Sequence, residues 1–159
     1  DDADVVCIGA SSGGAAALEL AVRLRARRGI SMGSRPVPSL SGLDTDGVEL
    51  WALHNAENER DREGAIALRA LLPDLERLVI PGESTHNILL PALRAARLTE
   101  FLDLLVRDDP SPMRAQRGPD GAWMLPRYER HAAYAKPRPS ARARLLRRLV
   151  PGALRRRSG

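Results

Sequence analysis

Residues 4–14, DVVCIGASSGG, constrain the chain more than any other stretch. The apolar run at residues 4–9 is continuous rather than alternating, as strands buried on both faces of a parallel sheet usually are. The small residues after it permit a sharp turn straight into residues 14–28, which read as a helix. There Leu18, Ala21, Val22 and Arg25 recur three or four positions apart, and Gly29 is the expected stop.

The same alternation continues downstream. Residues 48–53 (VELWAL) and 75–80 (LERLVI) read as further strands, with a helix at 62–72 between them that ends before Pro73. Ile30 and Val37 bracket a possible short strand in an otherwise irregular stretch. Helical spacing returns from Ile88 to Val106, with a break near Ala96–Thr99. Strands alternating with helices at this spacing predict an α/β fold, with a mostly parallel sheet and flanking helices. With 159 residues, 43% of them apolar, there is material for one real core. Aromatic residues are only 3%, so that core must rest on Leu, Ala, Val and Ile.

Beyond Asp109 the composition changes. Residues 111–159 hold 13 Arg or Lys against 2 acidic residues, whereas residues 1–110 carry an acidic excess. The expected organisation is therefore a domain over 1–109 and a basic Pro/Arg-rich extension over 110–159. Residues 140–150 (SARARLLRRLV) have amphipathic helical spacing. With Trp123, Tyr128 and Tyr134 nearby, the extension could adsorb to a polyanion such as RNA or anionic lipid, or could simply be a solvated end. Cys7 is the lone cysteine, which excludes an intrachain disulfide and a Cys-based metal site; its apolar setting predicts a buried thiol. No apolar run is long enough to span a bilayer and no signal-peptide pattern is visible, so the expectation is a cytoplasmic protein. No cofactor or metal is expected.

Gly9-Ala10-Ser11-Ser12-Gly13 fits G-x-S-x-G between a strand and a helix. Such a turn lifts the serine oxygen above the sheet, and the amide of the next residue, Ser12, becomes an oxyanion donor at the helix N-terminus. His86 lies in a polar loop, PGESTHN, just before a helix. It is either a general base for Ser11 or a surface histidine. No His, Asp and Glu grouping has metal-ligand spacing.

Residues 4–106 resemble the C-terminal half of α/β-hydrolases, where serine, acid and histidine come in that order on successive strand ends. HNILLPALRAARLTEFLDLL is also similar to small serine-hydrolase-like proteins associated with surface polysaccharide work. The resemblance implies a truncated three-layer sandwich with Ser11 as nucleophile and His86 as base. His54 then matches the usually structural histidine of an H-G-x-x-D segment. Counting on from it gives Asn58, which cannot carry the charge. The polysaccharide-associated proteins imply a later aspartate, matching Asp61, with Glu57 as the alternative acid. Asp61 also fits the N-cap of a helix beginning at Arg62.

The chemistry so implied is hydrolysis or acyl transfer on an ester, thioester or amide of a small molecule. The short stretch between Gly29 and Gly47 implies an open site without a large lid. Two other readings stand beside it. GASSGG resembles the glycine-rich opening of short-chain dehydrogenases, although Ala15 replaces the third glycine and no Tyr-x-x-x-Lys pair exists. It also resembles a segment of the chemotaxis receptor methylesterase. A degenerate, non-catalytic binding module is a further alternative. In α/β-hydrolases the second oxyanion donor comes from a loop far upstream of the serine, and only eight residues precede Gly9. The expectation is poor turnover by these residues alone. A second copy or a partner chain is expected to cover the first strand's edge.

Overall fold

The computed structural model describes residues 4–82, 84–109, 116–118, 120–125 and 127. The helix expected at 140–150, Tyr128, His131, Tyr134 and most of the basic extension lie outside the described residues.

Five strands form one sheet in the order β1 (Val6–Ala10), β2 (Arg28–Met32), β3 (Glu49–Asn55), β4 (Glu76–Ile80) and β5 (Trp123–Met124). Each strand pairs parallel with the next. The helices are α1 (Ser12–Arg23), α2 (Glu59–Leu71), α3 (Leu90–Arg94) and α4 (Leu98–Val106). This is an α/β fold with a parallel sheet and flanking helices, consistent with a truncated α/β-hydrolase-like three-layer sandwich.

Successive strand residues face opposite sides of the sheet, and β3 shows both. Leu50 and Ala52 pack with Leu18, Ala21 and Val22 of α1 and with Ala65 and Leu68 of α2. Trp51 and Leu53 pack on the other side with Ile30, Met32, Leu78 and Ile80, under Ala92 of α3 and Phe101 and Leu105 of α4. Burying each such large side chain contributes roughly 1.5–3 kcal/mol before entropy is counted. Cys7 belongs to the first of these two cores, and burial raises its thiol pKa.

Three local expectations need correction. The first helix ends at Arg23 rather than running to Gly29; Arg25 takes a positive φ of 50° and the Ala26 amide returns to the Ala21 carbonyl. Gly29 is a strand residue. A Cβ there would lie 2.7 Å from the Ala21 Cβ, so glycine is what lets α1 press onto β2. The strand expected between Ile30 and Val37 is β2, which starts at Arg28 and ends before Gly33. Finally, Asn58, not Asp61, caps α2: its side-chain oxygen accepts the Asp61 amide at 3.1 Å. The break between α3 and α4 falls at Ala95–Arg97, with Ala96 at φ 57°.

Arg28 fastens the second helical layer to the sheet. Its guanidinium is fully buried, donates to the Leu105 and Arg107 carbonyls at the end of α4, pairs with Glu49 and lies 3.9 Å over the Trp51 ring. A cation at a helix C-terminus meets both the orphan carbonyls and the helix dipole.

Candidate active site

β1 runs into α1 through a single residue, Ser11, whose backbone adopts φ 53° and ψ −123°. That region is strained for a residue with a side chain, by roughly 1–3 kcal/mol. Two backbone contacts hold it. The Ser11 amide donates to the Met32 carbonyl at 2.8 Å, and the Ser11 carbonyl accepts the Gly14 amide at 3.1 Å. The turn closes only because Gly9 has no side chain: a Cβ there would stand 2.1 Å from the Gly13 oxygen. Gly13, the second glycine of G-x-S-x-G, faces open space. The close approach falls instead to Gly14, where a Cβ would sit 2.5 Å from the Ser31 hydroxyl.

His86 arrives from the loop after β4. Its Nε2 lies 3.1 Å from the Ser11 Oγ, and its Nδ1 lies 2.8 and 3.0 Å from the two Asp61 carboxylate oxygens. A carboxylate can only accept, so Nδ1 carries the proton and donates it. Nε2 is then left to accept from the Ser11 hydroxyl. The Asp61 side chain is 2% exposed and that of His86 52% exposed. The acid is thus held in the protein while the imidazole meets solvent on the serine side.

Ser11, His86 and Asp61 therefore come together, and Ser12 opens α1 beside them. Glu57 stays apart, exposed in the turn before α2. His54 is buried on β3, with Nδ1 donating to the Asn55 carbonyl, and burial lowers its pKa from 6.5.

Sequence reasoning missed three supporting residues. Asn55, at the end of β3, donates from Nδ2 to the Thr85 carbonyl at 2.6 Å, and Asn58 donates to the Ser84 carbonyl at 3.3 Å. Together they tie the acid's turn to the histidine's loop. Gly33 lies against the imidazole. Its φ is 61°, and a Cβ would come 3.1 Å from the His86 ring and 3.2 Å from an Asp61 oxygen. Nothing in the sequence around Gly33 signals this role, because the ring it accommodates comes from a distant loop.

A cavity of about 510 Å³ opens over Ser11 and His86, lined also by Ser12, Gly33, Ser34, Arg35, Pro36, Val37, Arg60 and Asp61. Among the described residues no three His, Cys, Asp or Glu side chains are grouped so as to hold a metal ion, and no helix is long and apolar enough to cross a membrane. Compared with known proteins, the chain matches no family model, no curated protein and no solved structure.

Proposed function

We propose that this protein is a serine hydrolase or acyltransferase acting on an ester, thioester or amide. The observation that carries the reading is the hydrogen-bonded series from Ser11 through His86 to Asp61, ending on a serine held in a strained strand-to-helix turn. As Ser11 Oγ attacks the carbonyl carbon, its proton passes to His86 Nε2. Asp61 holds the tautomer and stabilises the imidazolium. The carbonyl oxygen gains the negative charge beside the Ser12 amide, a first-turn donor with no partner inside α1. His86 then protonates the leaving group as its bond to carbon breaks, leaving acyl-Ser11. Water then attacks the acyl carbon, giving a proton to His86, and His86 returns it to Ser11 Oγ as the acyl–oxygen bond breaks and the acid leaves; an acceptor alcohol or amine in place of water completes acyl transfer.

Two features favour this over nucleotide binding. β1 is an edge strand among the described residues, whereas the glycine-rich strand of a dinucleotide fold lies inside its sheet. The serine side chain also has a base and an acid behind it, for which a phosphate loop has no use. The test is covalent labelling by a fluorophosphonate. Wild type should be labelled and Ser11→Ala spared. Equal labelling of both proteins rejects Ser11 as nucleophile.

A further inference from the structure

We propose that the substrate carries a carboxylate or phosphate group near the reacting carbonyl, held between Arg35 and Arg60; this rests on the reading of Ser11 and His86 as an acyl-transfer pair. The two arginines come from separate segments, the loop after β2 and the first turn of α2. Both line the cavity that holds Ser11 and His86. Neither has an acidic partner among the described residues, in contrast to Arg25 with Asp44, Arg28 with Glu49 and Arg62 with Glu59.

Arg60 gains nothing from its place in the helix. A cation in a first turn opposes the helix dipole, and the adjacent Glu59 is already paired with Arg62. The one carboxylate lining the cavity, Asp61, is buried and turned to His86 Nδ1. The charged side chains among the lining residues that are left for a ligand are therefore those of Arg35 and Arg60, and the planar donor fork of a guanidinium matches carboxylate and phosphate oxygens. A volume of about 510 Å³ leaves room for an anionic group beyond the carbonyl itself.

The test compares hydrolysis of p-nitrophenyl hemisuccinate with that of the neutral p-nitrophenyl butyrate. Two exposed contacts, each contributing a few-fold, should together give the anionic ester about a tenfold advantage in kcat/KM. That ratio should collapse in Arg35→Ala/Arg60→Ala, return in part in the double Lys variant, and shrink in high salt. Equal kcat/KM for both esters in wild type, or a ratio unmoved by the double Ala variant, overturns the proposal. If neither ester is turned over, the acyl-transfer reading fails, and titration of the Ser11→Ala protein with inorganic phosphate and with succinate decides the anion site alone. Binding that disappears with the two arginines supports it, and whichever anion binds identifies the group. Binding that is absent, or that survives their removal, overturns it.

Discussion

At Asp61 a helix start and a hydrogen-bond acceptor are handled by different residues. Asn58 takes the capping role, which leaves the Asp61 carboxylate, 2% exposed, to face His86. Asp61→Asn keeps the shape but removes the charge and turns an acceptor-only group into one that can donate. We expect Ser11-dependent ester turnover to fall by about 10³–10⁴-fold, because the imidazole loses its working tautomer. The thermal midpoint should move by only a few degrees. Glu57→Gln, at an exposed position, should stay within twofold of wild type. A large loss in Glu57→Gln with Asp61→Asn active would reverse the assignment. At this scale Ser11 was legible because its turn is written in five contiguous small residues. Choosing between Asp61 and Glu57 was not possible from spacing, since both fall close together around the start of one helix; only the folded geometry turns Asp61 to His86 and leaves Glu57 exposed. Gly33 was invisible for a different reason: the ring it accommodates belongs to a distant loop.

Between elements, the junction at Arg28 joins the sheet to α4, and through α4 to the layer that covers Trp51. Arg28→Ala removes the donors of two helix-end carbonyls and the partner of Glu49 together. Breaking such a buried charge pair from one side costs about 3–5 kcal/mol, and Glu49, being partly exposed, places this case toward the lower figure. Urea unfolding should show the midpoint fall with the slope unchanged; a loss under about 1 kcal/mol, the net worth of a single hydrogen bond, would mean the α4 carbonyls find other donors. Arg28 also explains why β2 was hard to read. RGISM has a charged residue, a glycine and a serine among five, so it lacks the apolar run that made β1, β3 and β4 legible. Its burial makes sense only once α4 satisfies the guanidinium and α1 presses on Gly29. β5 is two residues long and comes after a Pro/Gly-rich stretch, so no periodicity could announce it.

On the scale of the whole molecule, the sheet has one flank built differently from the rest. Among the described residues β1 pairs only with β2, and its sequence, VCIGA, contains none of the charges or prolines that usually blunt an edge strand. Ile8, in its middle, is 39% exposed, and Val5 just before it 36%. An uncharged, partly apolar edge with unpaired backbone groups is a template for another strand, and we expect the described fold to self-associate there. Sedimentation velocity across a hundredfold range of concentration should show a reversible shift toward a larger species. Ile8→Lys should weaken that association by at least about tenfold: the long stem can cover the same surface while the ammonium reaches water and opposes strand addition. Because Ile8 is already partly exposed, the monomer's thermal stability should change little. The consequence reaches the candidate site, since β1 leads directly into Ser11. A strand added to this edge runs beside the segment that fixes the serine's strained backbone. The rate of fluorophosphonate labelling should therefore track the associated fraction in wild type and lose its concentration dependence in Ile8→Lys. Sedimentation as a single monomeric species at every concentration would refute the edge's role. A labelling rate indifferent to an association that does occur would confine that role to packing.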